Sequence, residues 1–97
     1  MRLKWSQLAA REMSDLRRFS IERWGRAVAV RYLEDIATAA KALALNPGRA
    51  RPLRGTLRIK RIRSHYLIVN IDEAADTLTI ARVLHAAMDI ERHMGLS

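Results

Sequence analysis

The residues most able to do chemistry in this sequence are basic, and they are concentrated in one segment. Seven positive side chains occur within fifteen residues: Arg49, Arg51, Arg54, Arg58, Lys60, Arg61 and Arg63. No acidic residue occurs between Asp35 and Asp72. A guanidinium group offers a planar fork of donors to a phosphate or a carboxylate, and it does not lose its charge. The segment therefore predicts a surface that binds nucleic-acid phosphates or an acidic protein.

The distribution of charge supports this interpretation. The 97 residues include 18 lysines and arginines against 10 acidic residues, a formal net charge of +8. Seven of these eight net charges lie in the basic segment, so the rest of the chain is nearly neutral. Charge that serves solubility alone is usually interspersed with the opposite sign. A concentrated patch attracts phosphates or acidic surfaces and raises association rates.

The basic segment also raises the question of catalysis. Cleaving RNA through its own 2′-hydroxyl needs a proton acceptor, a proton donor for the leaving oxygen, and cations around the phosphate. Arg58, Lys60 and Arg61 could supply the cations, and His85 and His93 are the nearby groups that titrate close to neutral pH. A histidine at a strand end more often bonds to the turn, and His93 suits the last turn of a helix. The acid–base pair is therefore the weak part of an enzymatic hypothesis.

Metal, redox and membrane functions find little support. The sequence has no cysteine, and His85 with Asp89 makes only two candidate ligands, so we expect no metal and no cofactor. The N-terminal residues turn polar at once, without the apolar stretch of a secretion signal, and no apolar run is long enough to span a bilayer. The composition, 49% hydrophobic and 29% charged, is that of a globular protein. We expect a soluble, cytoplasmic protein.

The first half of the chain has the apolar spacing of helices. Residues 2–5 alternate basic and apolar side chains, which is typical of a short strand, and Ser6 suits a helix N-cap. Apolar residues then recur at helical spacing to about residue 23, and again between Gly25 and the breaker triplet Asn46-Pro47-Gly48. This pattern predicts a strand followed by an αα-hairpin.

The second half changes to the period of strands. Alternating or β-branched runs cover residues 57–62, 65–71 and 77–84. In the last run we expect four residues on one face: Leu78, Ile80, Arg82 and Leu84. These spacings predict a three-stranded antiparallel meander, and residues 86–94 predict a short C-terminal helix.

The predicted fold is therefore α+β, in a single domain of residues 1–97. Each long helix has one apolar stripe to bury, so both helices must pack on one face of the sheet. The opposite face, from which arginines project, stays available to a partner. Strand alternation puts Arg61 and Arg58 on opposite faces, so the arginines cannot all join one surface. Trp5 and Trp24 are expected to pack in the core or at the hinge between the helices.

Several short motifs follow one another in a characteristic order. They are Trp24-Gly25, Asn46-Pro47-Gly48, Pro52-Leu53-Arg54 with Leu57-Arg58, Tyr66-Leu67-Ile68-Val69, and the ending from Arg82-Val83-Leu84-His85 to Met94. In this order the sequence resembles the RelE/ParE superfamily of bacterial toxins, and within it the ParE branch. The resemblance covers nearly the whole chain. It departs from the usual pattern at Ser6-Gln7, where a Ser-Pro pair is common, and at Asn70, where a tyrosine or arginine is often found.

The resemblance implies a RelE-like fold, a cognate antitoxin whose acidic, partly disordered tail folds around the toxin, and DNA gyrase as the target. DNA would then be contacted only through gyrase or through the antitoxin complex. Besides the seven basic residues, Met88 and Asp89 in the characteristic ending are candidate partner contacts.

Two alternatives stay open. One is a ribosome-dependent mRNA endonuclease, as in the other branch of the superfamily, using Arg58, Arg61 and His85. Against it, alanines at 86 and 87 stand where an arginine of that branch would be expected. The other alternative is a nucleic-acid-binding module with no toxic activity.

Overall fold

The computed structural model describes residues 1–88 and 90–93, without the side chain of Glu91. The elements follow in the order β1 (Arg2–Trp5), α1 (Gln7–Trp24), α2 (Arg26–Leu45), a single 3-10 turn (Pro47–Arg49), β2 (Arg51–Arg54), β3 (Leu57–Ile62), β4 (His65–Asp72), β5 (Thr77–His85) and α3 (Ile90–His93). None of the described helices combines the length and the apolar character that crossing a bilayer requires.

The first helix begins at the residue that the sequence predicts as its cap. The Ser6 hydroxyl accepts a hydrogen bond from the Ala9 N–H at 2.9 Å. It also donates to the carbonyl of Ala81 in β5 at 2.8 Å, which joins the start of α1 to the sheet. Gly25 alone separates α1 from α2, with φ of 87° and ψ of 164°. This backbone conformation is essentially restricted to glycine, so the tight join between the helices depends on that residue.

The five strands form one mixed sheet in the order β1-β5-β4-β3-β2. Neighbouring strands from β2 to β5 are antiparallel, whereas β1 is parallel to β5, with Leu3 opposite Leu78. The long connection that parallel strands require runs here through the αα-hairpin and then through β2, β3 and β4. The N-terminal ammonium of Met1 donates to the carbonyl of Ala44 at 2.9 Å, so the chain start is attached to the end of α2.

Both long helices lie on one face of the sheet, as predicted. Their buried residues and those of the sheet form one core: Ala9, Ile36, Ala40, Leu43, Ala50, Leu67, Val69, Leu78, Ile80 and Val83. The outer face carries a second, smaller cluster of Ile59, Ile68 and Leu84, against which Ile90 of α3 packs. The face that was expected to be available to a partner is therefore partly covered by the chain itself.

A β-bulge in β5 overturns the expected facing of this strand. Ile68 pairs with Arg82 but the next residue, Val69, pairs with Ile80, which leaves Ala81 as an extra residue. An extra residue shifts the side-chain alternation by one position. Leu78 and Ile80 face the helices, whereas Leu84 lies in the outer cluster. The prediction that Leu78, Ile80, Arg82 and Leu84 share a face is wrong for this reason.

Two further boundaries differ from the expectation. The three-stranded meander is present, but β2 adds a fourth strand before it. Its composition, with Pro52 between arginines, hides the strand signal, although proline and charge are typical of a sheet edge. Within the described residues the C-terminal helix covers 90–93, because 86–88 form a turn in which the Met88 N–H bonds to the His85 carbonyl at 3.0 Å.

Candidate partner-binding site

The basic residues of β2 and β3 divide between the two faces of the sheet. Arg51 pairs with Ile59, which places it on the outer face. Arg61 is on the same face by strand alternation, and its guanidinium lies 5.8 Å from the centre of the Tyr66 ring. Arg58 and Lys60 point to the helix side. The structure therefore agrees with the expected separation of Arg58 from Arg61.

Two of these arginines are held by backbone carbonyls. Arg58 Nη1 donates to the carbonyl of Ala50 at 3.0 Å, bridging β3 and the start of β2. Arg61 Nε donates to the carbonyl of Arg63 at 2.8 Å, within the turn after β3. Both bonds restrict the guanidinium groups while leaving other donors for a partner.

Arg63 joins this turn to α2. Its Nη2 lies 2.7 Å from Asp35 Oδ2, and its guanidinium carbon lies 5.6 Å from the centre of the Tyr32 ring. Arg63 has φ of 53°, a left-handed conformation that suits the tight turn. Because both charged groups are substantially exposed, the ion pair orients Arg63 more than it stabilises the fold.

The remaining predicted contacts are spread more widely. Arg49 is exposed in the 3-10 turn and Arg54 is exposed at the end of β2. Met88 is exposed after β5 and lies near His85. Asp89 lies outside the described residues. The predicted contacts thus belong to at least two surfaces, the outer face and the helix-side edge.

The three residues of the enzymatic alternative do not converge. Arg61 is on the outer face, whereas His85 is on the helix side. Arg58 shares the face of His85, but it lies four residues along β3 from Ile62, the residue opposite His65. At ~3.3 Å per residue this is roughly 13 Å along the strand. One phosphate therefore cannot contact all three side chains in this arrangement.

The sequence analysis missed a cluster of three rings formed by Tyr32, His65 and His85. The Ser64 N–H donates to the Tyr32 hydroxyl oxygen at 3.3 Å, and this hydroxyl lies 2.7 Å from His65 Nδ1. Which of the two groups donates in this bond is set by the tautomer of His65. The rings of His65 and His85 are 5.0 Å apart in an edge-to-face arrangement.

Burial favours the neutral form of His65, and the turn after β5 holds His85. Burial lowers the pKa of His65 below its usual value of 6.5, and the neighbouring His85 lowers it further. His85 Nδ1 accepts a hydrogen bond from the Ala87 N–H at 3.0 Å, so the turn after β5 uses the unprotonated nitrogen.

The register of the β4–β5 hairpin could have revealed the pairing of His65 with His85. Asp72 and Thr77 close the β4–β5 hairpin, and residues that pair beyond them have a constant sum of residue numbers. One bulge residue changes that sum by one, which makes His65 the partner of His85. The signal was present in the sequence, but reading it required the position of the turn and of the bulge.

An apolar pocket opens directly above the ring cluster. Its lining consists of Leu16, Phe19, Trp24, Tyr32, Ser64, His65 and His85, and its volume is about 210 Å³. The rings of Phe19 and Trp24 meet edge to face, with centres 6.1 Å apart. The two side chains are 53% and 51% exposed. Trp24 thus lies at the hinge between the helices with half of its surface uncovered.

The charges around this pocket are arranged unevenly. The guanidinium carbon of Arg23 lies 5.9 Å from the centre of the Phe19 ring, and Arg63 lies over Tyr32. An adjoining depression on the other side of Phe19 is lined by Glu12, Asp15 and Met88 among others. The pocket therefore has a basic rim on one side and an acidic rim on the other.

Glu12 fixes α1 to the sheet beside this pocket. Its carboxylate accepts from Arg82 Nε at 3.2 Å and Nη2 at 2.9 Å, and from the Val83 backbone N–H at 2.9 Å. Strand β1 pairs with β5 only as far as Ile80. Glu12 therefore satisfies an edge N–H that β1 does not reach.

Within the described part of the chain, no three histidine or acidic side chains come close enough to hold a metal ion. The site offers guanidinium groups, aromatic faces and an apolar pocket. These groups bind acidic and apolar partners.

The sequence and fold were compared with those of known proteins. The family model described as "ParE toxin of type II toxin-antitoxin system, parDE" matches residues 3–90. Toxin ParE1 of Caulobacter vibrioides is 28% identical over 93 residues, which cover 93% of this chain and 94% of the relative.

Two solved structures share the fold. One, from the chromosomal ParDE system of P. aeruginosa, has a TM-score of 0.76 at 21% identity, over 88% of this chain and 95% of its own. The other, a YoeB/ParE toxin from Agrobacterium tumefaciens, has a TM-score of 0.63 at 16% identity, over 88% and 98%. The family match covers nearly every described element, from β1 to the start of α3. This chain belongs to the ParE toxin family of type II toxin–antitoxin systems.

Proposed function

We propose that this toxin acts by binding DNA gyrase and inhibiting it, and that a cognate antitoxin neutralises it. The observation that carries the proposal is the separation of Arg58, Arg61 and His85. Because these residues cannot meet at one phosphate, the site favours inhibition by binding over RNA cleavage. A target that acts on the chromosome places this function in the cytoplasm.

The neutralising partner is an antitoxin with an acidic segment. Charge complementarity to a chain of net charge +8 speeds encounter, while buried apolar anchors set how long the complex lasts. The described surface offers both kinds of contact beside the αα-hairpin, the guanidinium groups of Arg23 and Arg63 and the uncovered rings on α1. A disordered acidic tail gains order on such a surface as it binds.

The target contact is proposed for the outer face. Arg51 lies there opposite Ile59, and Arg61 lies over the Tyr66 ring, both on the face away from α1. Two separate surfaces allow the antitoxin and the target to use different residues. Contact with DNA is proposed only through gyrase or through the antitoxin complex, and we propose no metal or cofactor.

A supercoiling assay tests the function. Purified toxin is added to gyrase, ATP and relaxed plasmid, and supercoiling and cleaved DNA are scored on gels. We expect loss of supercoiling, which disappears when antitoxin is added first. A double Arg51→Glu, Arg61→Glu variant should inhibit at least tenfold less than wild type. The control is an Arg17→Glu, Arg18→Glu variant, which makes the same charge change at exposed positions of α1. Unaltered supercoiling at high concentrations of folded toxin would reject gyrase as the target.

A further inference from the structure

We propose that the pocket above the Tyr32–His65–His85 ring cluster takes one apolar side chain of the antitoxin, from a segment with acidic residues next to that side chain. This inference rests on the proposed neutralisation, and it names the residue chemistry that the antitoxin must present. The pocket, its uncovered rings and its two differently charged rims each contribute to the argument.

The uncovered rings are the first step. Phe19 and Trp24 are each about half exposed, although both are large apolar residues and lie side by side. Contiguous apolar surface with a polar border marks a protein interaction site. Aromatic residues in pockets are also typical of positions that dominate binding energy. A partner side chain packed against these two rings would remove their exposed surface from water.

The floor of the pocket selects an apolar occupant. The Tyr32 hydroxyl already takes part in two hydrogen bonds, and the Nδ1 atoms of His65 and His85 each take part in one. The histidine polar atoms left to a group entering the pocket are the two Nε2 atoms, and most of the remaining lining is apolar. A volume of about 210 Å³ accommodates a leucine or an aromatic side chain.

The rims set the orientation of the occupant. Arg23 and Arg63 lie on one side of the pocket, each over a ring of its lining. Asp15 and Glu12 lie on the other side, past Phe19. The carboxylates already have partners, Glu12 with Arg82 and Asp15 with Arg18, so they repel an acidic segment only weakly. Arg63 is paired with Asp35, whereas Arg23 presents its charge beside Phe19 and attracts an acidic residue next to the anchor. The antitoxin segment should therefore pass with its carboxylates toward Arg23.

Calorimetry with the full-length antitoxin encoded beside this toxin tests the pocket. We expect Phe19→Ala and Trp24→Ala each to weaken binding at least tenfold. Leu45→Ala is the matched control, because Leu45 is 87% exposed at the far end of α2. The affinity of this variant for the antitoxin should stay within twofold of wild type. Circular dichroism melts establish that each variant is folded, which is expected because each replaced side chain is at least half exposed.

A spectroscopic measurement keeps the test independent of truncation. The toxin has two tryptophans, so labelling it with 5-fluorotryptophan gives two fluorine resonances. On adding antitoxin, the resonance of Trp24 should shift and lose its sensitivity to solvent, while that of Trp5, packed against the core, should move little. Trp24→Phe assigns the signals.

The outcomes separate this inference from the proposed function. Tight binding of wild-type toxin that is unchanged in Phe19→Ala and Trp24→Ala would overturn the pocket and leave neutralisation standing. Absence of binding by wild-type toxin would overturn both. For the rim, Arg23→Glu should weaken binding relative to wild type by a larger factor in low salt than in high salt. The same factor at both salt concentrations would overturn the proposed orientation.

Discussion

Replacing Glu12 with alanine should be among the most destabilising single changes on α1. The Glu12 and Arg82 side chains are 18% and 20% exposed, so the ion pair is largely removed from water. Glu12→Ala leaves the Arg82 guanidinium without its carboxylate and the Val83 N–H without its acceptor. The change therefore removes one ionic and one backbone interaction together.

The magnitude follows from the two groups left behind. Removing one partner of a fully buried ion pair costs about 3–5 kcal/mol, and an unsatisfied buried N–H costs about 1–3 kcal/mol. Partial exposure lets water reach both groups, so we expect a total of about 2–4 kcal/mol. For a domain of this size that lowers Tm by roughly 10–25 °C. The total free energy of unfolding is about 5–15 kcal/mol, so the loss is a large part of it.

Urea denaturation followed by circular dichroism measures this effect, and two further variants separate its parts. Glu12→Gln keeps an oxygen acceptor for the Val83 N–H but removes the charge, so it should cost less than Glu12→Ala. Arg82→Met combined with Glu12→Ala removes both charges, and it should be more stable than Glu12→Ala alone. A loss below about 0.5 kcal/mol for Glu12→Ala would refute the reasoning, because the pair would then behave as an exposed one.

Three other changes test other parts of the structure. Because the pKa of His65 is lowered in the folded state, wild-type stability should fall as pH drops below 6.5, where the unfolded chain binds a proton that the folded chain does not. The fall should end below the folded pKa. Denaturation measured at pH 7.5 and at pH 5 should give a smaller difference in stability for His65→Gln than for wild type. Ser20→Ala should stabilise by about 1 kcal/mol in thermal melts, since the buried Ser20 hydroxyl has no partner among the described residues, and a loss of stability would contradict this. Gly25→Ala should destabilise by about 1–3 kcal/mol in urea titrations, because φ of 87° strains any other residue, and an unchanged midpoint would contradict it.

The sequence predicted most of the elements because their signals are local. The Ser6 cap, the Gly25 join and the alternation of β3 and β4 each depend on a few neighbouring residues, and the structure confirms them. Strand β2 escaped prediction because an edge strand tolerates proline and charge. The facing of β5 escaped prediction because one bulge residue changes it, and no local signal marks Ala81 as the bulge.

The candidate site was harder to predict because it depends on register and burial. The positions of the arginines on their strands were foreseeable, and their division between faces follows from alternation. The meeting of Tyr32 from α2 with His65 and His85 depends on how the hairpin packs on the sheet. The exposure of Phe19 and Trp24 could not be inferred either, since apolar residues at helical spacing are usually buried.

The parallel pairing of β1 with β5 has a consequence during protein synthesis. Trp5 and its partner Ile80 are separated by 75 residues, which a ribosome adds in roughly 4–15 s. Until then the apolar stripes of α1 and α2 have no completed sheet to cover them, because β5 lies between β1 and β4 in the sheet. The nascent hairpin is then an exposed apolar surface that a chaperone can bind. The fold can therefore be completed only after β5 has been synthesised, and a surface that depends on the completed sheet does not exist before then.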